Sequence, residues 1–199
     1  EPFVRDYARR CLEQSLALAS SDANAKDGVE SMQSYARPIP STVIAKVLGI
    51  PDDRTDDFAR WSDELLAGQG GADSQAKPIG ELHAEFTEYL EEQIALRVAA
   101  ENPPDDMITR MLTSEIDGER LSQRAVLTQT MFLIIAGNET TRNLIGNLIY
   151  RLAADAQLYQ QIQRDRELIA ILIEESLRID SPVQLLARTC TEDVVIDGV

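Results

Sequence analysis

A long helix is the feature that most constrains the fold of this 199-residue chain. Its pattern starts near Ser122, is largely apolar up to Gly137, and continues to about Ala154 with apolar residues at helical spacing. A helix over 122–154 is roughly 45 Å long at about 1.5 Å per residue, which is enough to cross a domain. Because its first half is apolar nearly all round, we expect that half to be buried on every side.

Four polar residues interrupt the apolar run at the middle of this helix: Asn138, Glu139, Thr140 and Thr141. Burying them costs free energy unless they have partners or a function. One interpretation is structural: the threonine hydroxyls bond to carbonyls one turn earlier, and Glu139 reaches a surface groove. The other is a reaction site, in which Gly137 lets a flat group approach the backbone and a hydroxyl beside a carboxylate relays protons. The segment by itself leaves both interpretations open.

The composition narrows the possible classes of protein. A net charge of −15 argues against nucleic-acid binding, because the chain has no basic stripe to neutralise phosphates. Two cysteines cannot form a disulfide framework, so a reduced, cytoplasmic protein is expected. The longest apolar run, 131–137, is much shorter than the roughly 18 residues of a membrane span. We therefore expect no membrane span.

Helical patterns cover almost all of the remaining chain. Pro38 and Pro40 are expected to interrupt the segment before a short helix, Val43–Leu48, which Gly49 ends. Near the C-terminus, Val194–Ile196 before an Asp-Gly pair looks like the first strand of a hairpin. The other predicted helices are Pro2–Ser20, Pro51–Ala67, Pro78–Ala100, Asp105–Leu112, Ala154–Arg164 and Arg166–Ile179.

A second group of candidate residues lies in the last predicted helix. Glu175 and Arg178 are three residues apart, so they share one helix face and are expected to form an ion pair. Apolar neighbours from Leu168 to Leu177 predict that this helix is mostly buried, and a buried pair requires a third polar group. His83 is the only histidine, which excludes catalytic triads and multi-histidine metal sites. We interpret it as a surface or packing residue.

Four blocks, taken together and in order, carry a family resemblance. They are 136–141 (Ala-Gly-Asn-Glu-Thr-Thr), 175–178 (Glu-Ser-Leu-Arg), 181–183 (Ser-Pro-Val) and 188–193 (Arg-Thr-Cys-Thr-Glu-Asp). Their order and spacing are more specific than any one block, and in them the chain resembles the cytochrome P450 family, bacterial soluble type. The resemblance implies a mainly α, P450-like helical fold, truncated at both ends, with a short β segment at the C-terminus. The range 1–199 would form a single partial domain.

The resemblance implies that the long helix crosses the distal face of a haem b. Thr140 would hydrogen-bond to oxygen bound at the iron, and Glu139 would deliver protons toward it. Ala136, Gly137 and Thr140 would lie against the cofactor. Arg188 would pair with a haem propionate, in a charge-assisted contact that fixes the cofactor.

The resemblance also implies residues for the scaffold and the substrate. Glu175 and Arg178 would be structural and hold their helix behind the haem-binding core. The whole protein would be a haem-thiolate monooxygenase that inserts one oxygen atom from O2 into an apolar small molecule. Its electrons would come from a ferredoxin- or flavodoxin-type donor. The substrate pocket would be lined by Phe132, Ile135, Ala136 and Val183.

The chain also departs from the family pattern. The family's iron is bound by a cysteine in a glycine-rich loop with a phenylalanine upstream, and no such loop occurs here. Cys190 follows Arg178 too closely to take that part, so no metal ligand is predicted. We expect the chain alone to lack turnover and to self-associate through exposed apolar surface. Two alternatives stay open: a non-catalytic helical binding or interaction domain that retains the scaffold, and an unrelated helical protein whose matches are accidental.

Overall fold

A computed structural model of the chain describes residues 2–21, 28–68, 83–186 and 190–195. These ranges form eight α-helices and one two-stranded hairpin, which confirms the mainly α fold class. A π-helical turn precedes the second helix, and a 3-10 turn precedes the third. The elements are α1 Pro2–Ser21, α2 Pro38–Leu48, α3 Thr55–Gly68, α4 Ala84–Ala99, α5 Met107–Thr113, β1 Glu115–Ile116, β2 Glu119–Arg120, α6 Gln123–Ala154, α7 Ala156–Arg164 and α8 Leu168–Ile179.

α6 is the helix around which the other elements pack. The sequence predicted it at 122–154, and in the structure Ser122 is its N-cap, whose hydroxyl accepts a hydrogen bond from the Ala125 N–H at 3.2 Å. This bond satisfies one of the N–H groups that a helix start leaves without an intrahelical partner. At the other end, the Asp155 carboxylate accepts two N–H groups of the first turn of α7. The two caps fix where α6 begins and where the chain turns back.

One side of α6 is buried and the opposite side is open. The prediction that its first half is buried on every side is therefore wrong, since Phe132 is 55% exposed and Leu133 is 39% exposed. An apolar pattern shows which residues favour burial, but not which neighbouring element covers them. α3 and α4 supply the aromatic part of the core, where the Trp61 and Phe86 rings stack with centroids 5.2 Å apart. The buried core residues are Ala45, Leu48, Ile50, Phe58, Trp61, Leu65, Phe86, Leu90, Ile94, Ile108, Val126, Leu127, Met131 and Ile134.

α2 starts earlier than the sequence predicted. The prediction that Pro38 and Pro40 interrupt the chain before a helix at Val43–Leu48 is wrong, because both prolines lie in the first turn of α2. A proline costs little there, since the first N–H groups of a helix have no intrahelical acceptor. The predicted stop at Gly49 is confirmed: its φ of 78° is left-handed, a conformation that glycine adopts without steric cost.

A buried ion pair joins the ends of α2, α4 and α5. The side chains of Arg97 and Asp106 are 5% and 6% exposed, and Arg97 Nη2 donates to Asp106 Oδ2 at 2.7 Å. The same Nη2 donates to the Gly49 carbonyl at 3.1 Å, while Asp106 Oδ1 accepts the Thr109 N–H at 2.9 Å as the N-cap of α5. Each charged group has a second partner, which lowers the cost of burying it. The C-terminal end of α2 is thereby fixed against α4 and α5.

α4 begins with a histidine cap. His83 Nδ1 accepts the Phe86 N–H at 3.1 Å, and His83 Nε2 lies 2.6 Å from Glu64 Oε2 of α3. Because Nδ1 is an acceptor, the ring proton lies on Nε2 and is donated to the carboxylate. The histidine thus joins the start of α4 to α3. The predicted start of this helix at Pro78 lies outside the described residues.

The strands that the structure describes lie before α6. β1 and β2 pair antiparallel, and Asp117 and Gly118 turn the chain with φ values of 53° and 82°, as a two-residue hairpin turn requires. Of the strand predicted at Val194–Ile196, the first two residues show no strand pairing, and 196–199 lie outside the described residues. Among the helices that the structure describes, none combines the length and apolar character needed to cross a bilayer.

Candidate active site

Five residues on the uncovered side of α6 form a continuous strip: Phe132, Leu133, Ala136, Glu139 and Thr140. We call this strip the open face. Positions i, i+1, i+4, i+7 and i+8 lie on one side of an α-helix, which is why these residues share it. The first four are exposed and Thr140 is half-buried. The strip is apolar at its N-terminal end and polar at its C-terminal end, where Glu139 and Thr140 lie.

Thr140 makes the structural hydrogen bond that the sequence left as one alternative. Its Oγ1 donates to the Ala136 carbonyl one turn earlier, at 2.6 Å. A bond of this kind bends a helix slightly, and it uses the only proton of the hydroxyl. Oγ1 keeps its lone pairs, so it can accept a hydrogen bond from another group. Asn138 lies on the covered side instead, 2% exposed, with no partner at its Oδ1.

Glu139 projects toward solvent. Its side chain is 50% exposed, and Arg142 Nη2 lies 3.9 Å from its Oε1. An exposed pair at that distance holds the carboxylate only weakly. The carboxylate is accessible to water, as a group that exchanges protons with solvent must be.

Gly137 packs against α2. A Cβ added to Gly137 would lie 2.8 Å from Ile44 Cδ1, so the isoleucine already occupies the space beside this backbone. The sequence interpretation gave that space to a flat group. Ile44, a residue of α2, occupies the side that a Cβ would take, and the approach of a flat group to Gly137 stays a prediction.

The predicted ion pair of α8 is formed, but its helix is not buried. Arg178 donates to Glu175 through Nε at 2.8 Å and through Nη2 at 2.6 Å. The prediction of a mostly buried helix is wrong, since the Glu175 and Arg178 side chains are 50% and 69% exposed and Ser176 is the buried residue of α8. The hydrogen bonds from Arg178 lower the pKa of the Glu175 carboxyl below its ordinary value.

The remaining predicted site residues lie in three different environments. Ile135 is partly buried and packs against the core, not on the open face. Val183 is 43% exposed in the irregular segment that follows α8. Arg188 lies outside the described residues. The structure therefore brings Phe132, Ala136, Glu139 and Thr140 together.

The end of α8 is joined to the C-terminal half of α6. The Arg151 guanidinium binds the Asp180 carboxylate, and Asn147 Nδ2 donates to the Asp180 carbonyl at 3.0 Å. The hydrogen bond from Arg151 lowers the pKa of the Asp180 carboxyl. These contacts hold Asp180, the residue that ends α8, against α6.

The family model described as Cytochrome P450 matches residues 44–199, which is most of the chain. The chain belongs to the cytochrome P450 family. Its blocks at 136–141 and 175–178 therefore lie within the matched range.

Individual cytochrome P450 proteins are also similar to this chain. Cytochrome P450 109 of Bacillus spizizenii is 34% identical over 190 residues, 92% of this chain and 46% of the relative. The vitamin D(3) 25-hydroxylase of Pseudonocardia autotrophica is 38% identical over 173 residues, 86% of this chain and 41% of the relative. A cytochrome P450 from Bacillus megaterium, solved in complex with testosterone, covers all of this chain with a TM-score of 0.80 at 30% identity. This chain spans 51% of that protein, and about half or less of the relatives above.

The open face has the chemistry that one side of a P450 haem requires. The haem ring is flat and apolar, and its iron has a cysteine thiolate ligand. Phe132, Leu133 and Ala136 would offer apolar surface to such a ring, and Thr140 would add one hydrogen-bond acceptor. Of the cysteines, Cys11 is buried in α1 and Cys190 is exposed, and neither is part of the open face.

Sequence reasoning missed the residues that support the site. Ile44 lies far from Gly137 in the chain, and the pair Arg97–Asp106 joins elements that no motif connects. A local signal existed only for Asp106, because an aspartate before an apolar stretch is typical of an N-cap.

Proposed function

We propose that this chain is the part of a haem-thiolate monooxygenase that covers the distal side of the haem. The complete enzyme inserts one oxygen atom from O2 into an apolar small molecule, with electrons from a ferredoxin- or flavodoxin-type donor, in the cytoplasm. The observation that carries the proposal is the open face, where an apolar strip of α6 ends at a threonine whose proton is bound by the Ala136 carbonyl. Membership of the P450 family supports it.

The residues of the open face have separate roles in this proposal. When bound, the haem supplies the oxygen chemistry. The Thr140 hydroxyl donates its own proton to the Ala136 carbonyl, so Oγ1 is free to accept a hydrogen bond from a protonated group on the distal side. This accepted hydrogen bond holds the proton of the distal group in a defined position. Glu139, in contact with water, passes protons from solvent toward this hydroxyl. Phe132 and Ala136 exclude bulk water from the ring.

The cofactor and substrate contacts extend beyond the open face. Arg188 is the proposed partner of a haem propionate, and Gly137 supports the cofactor side through its packing on α2. Val183 and Ile135 complete the proposed substrate lining, with Ile135 acting from the core. Because one relative is named a vitamin D(3) 25-hydroxylase and another was solved with testosterone, steroids and secosteroids are the first substrates to test.

Thr140→Ala tests the proposal in a protein that extends this sequence through the family's cysteine loop. The substitution removes the acceptor at the distal side, so the fraction of reductant that ends in product should fall, with release of peroxide instead. Thr128→Ala is the matched control, since Thr128 Oγ1 makes the same bond to the carbonyl of Arg124 at 3.0 Å, on an exposed part of α6. Equal coupling in wild type and Thr140→Ala, or equal losses in both variants, would contradict the role of Thr140.

A non-catalytic binding domain is the alternative that one observation favours. Thr140 is satisfied within its own helix, as a purely structural threonine would be. Haem titration of the extended protein, followed by reduction under carbon monoxide, separates the two functions. A red-shifted, thiolate-type Soret band supports the enzyme, and absence of haem binding supports the binding domain.

The chain alone is also proposed to self-associate. Leu185 and Leu186 are 84% and 72% exposed, next to the exposed Val183. Apolar side chains grouped in this way favour association. Sedimentation of the 199-residue chain at several concentrations should show oligomers, and a concentration-independent monomer would contradict this.

A further inference from the structure

One methyl group of α2 fills the space beside the backbone of Gly137. A Cβ built on Gly137 would lie 2.8 Å from Ile44 Cδ1 and 3.5 Å from Ile44 Cγ1. The first distance is too short for two carbon atoms, whereas the second is an ordinary van der Waals contact. The Ile44 Cδ1 methyl therefore fills the space that a side chain at position 137 would need, at a turn where α2 and α6 pack together.

The same turn of α6 carries the hydroxyl of the open face. Gly137 follows Ala136, whose carbonyl accepts the Thr140 hydroxyl at 2.6 Å. Thr140 lies three residues after Gly137, about 60° round the helix. Ile44 thus contacts this turn from the covered side, while Thr140 borders the open face. A change in the separation of the two helices here shifts the backbone that holds Thr140 Oγ1.

α2 has a firm support behind this contact. Leu48 and Ala45 are 1% and 2% exposed in the core, and Ile44 is itself partly buried against that core. The Gly49 carbonyl, just after the end of α2, accepts a hydrogen bond from Arg97 Nη2 at 3.1 Å. A contact that positions a functional group requires a neighbour whose own place is fixed, and α2 meets this condition.

We propose that Ile44 is a positioning residue for Thr140: its Cδ1, in contact with Gly137, sets the place of the Thr140 hydroxyl at the open face. The inference rests on the proposed function of Thr140. It gives α2 a part in the site although no residue of α2 lies on the open face.

A cycle of substitutions in the 199-residue chain tests the contact without haem. Gly137→Ala places a Cβ against Ile44 Cδ1 and should lower the melting temperature. In a chain that also carries Ile44→Val, which removes Cδ1, Gly137→Ala should leave the melting temperature unchanged or raise it, because alanine is the better helix former. Ile39→Val is the matched control, since it shortens another buried isoleucine of α2 and should give no such reversal. If Gly137→Ala lowers the melting temperature equally in the unchanged chain, with Ile44→Val and with Ile39→Val, the inferred contact between Gly137 and Ile44 Cδ1 is wrong.

Coupling in the extended protein tests the positioning role. Ile44→Val should lower the fraction of reductant that ends in product, while Ile39→Val leaves it unchanged. The substrate-induced spectral change should give the same affinity in both variants. Coupling that is equal in the two variants, or a loss of affinity in place of coupling, would overturn the role of Ile44. If Thr140→Ala also fails to uncouple, the proposed function fails; if it does uncouple, only the present inference fails.

Discussion

Arg97→Met should remove a large part of the folding free energy of this chain. The guanidinium donates to Asp106 through Nε at 3.0 Å and through Nη2 at 2.7 Å, to the Gly49 carbonyl through Nη2 and to the Gln93 carbonyl through Nη1 at 2.9 Å. Methionine keeps the apolar part of the arginine side chain but has none of its hydrogen-bond donors. The Asp106 carboxylate then stays buried with the Thr109 N–H as its remaining hydrogen-bond donor among the contacts described above.

The expected loss follows from the burial of the pair. Removing one partner of a buried ion pair costs about 3–5 kcal/mol, because the other charge is left without compensation. A domain of this kind has a total free energy of unfolding of about 5–15 kcal/mol, so the substitution removes about a fifth of it or more. With a urea m-value of about 2 kcal/mol/M, a loss of about 4 kcal/mol lowers the unfolding midpoint by about 2 M.

Urea unfolding followed by far-ultraviolet circular dichroism measures this shift. Arg110→Met is the matched control, since Arg110 binds Asp105 through two hydrogen bonds of 2.8 Å and 3.0 Å in a pair that is mostly exposed. Its midpoint should change far less, because water solvates the partner that remains. The double variant Arg97→Met, Asp106→Asn should lose less than the sum of its single variants, since it leaves no unpaired charge. Equal midpoints for Arg97→Met and Arg110→Met would refute the reasoning.

Two further predictions concern the same fold. Gly49→Ala should cost at least about 1–2 kcal/mol for its left-handed φ, and more because the new Cβ would lie 2.1 Å from Asp106 Oδ2; an unchanged urea midpoint would contradict this. The Asp180 carboxyl has a pKa below its ordinary value, chiefly because of the hydrogen bond from Arg151. Its contribution to stability is therefore complete above the unfolded pKa of about 3.9 and is lost as the pH falls through the folded pKa. Asp180→Asn should reduce the drop in melting temperature between neutral pH and about pH 3, and an unaltered drop would contradict the assignment.

The ends of the helices could be predicted because their causes are local. Gly49 ends α2 through its own φ, and Ser122 starts α6 through a bond to an N–H three residues later. Pro38 misled the prediction for an equally local reason: a proline that breaks a helix interior is tolerated in a first turn, and composition does not distinguish the two positions. The fold class followed from the helical periodicity and from the family blocks together.

Burial of α6 and of α8 could not be predicted, because it depends on contacts between distant parts of the chain. Leu133 and Ile134 are adjacent and equally apolar, yet Leu133 is 39% exposed and Ile134 is 1% exposed. Only the position of α2 to α5 decides between them. The contact between Ile44 and Gly137 could not be predicted either, because no spacing rule connects residues that lie in separate helices.

The polar break in α6 combines a structural contact with the reactive role that we propose. Successive residues of a helix point about 100° apart, so Asn138 turns into the core, while Glu139 and the half-buried Thr140 lie on the open face. The structural and the reactive interpretations of this segment are therefore compatible. The hydrogen bond from Thr140 to the Ala136 carbonyl uses the hydroxyl proton, so the Thr140 oxygen could bind a ligand only as an acceptor. Thr140, whose hydroxyl proton is bound within its own helix, can therefore act as the hydrogen-bond acceptor that we propose. The packing of the covered side of α6 determines where that acceptor lies.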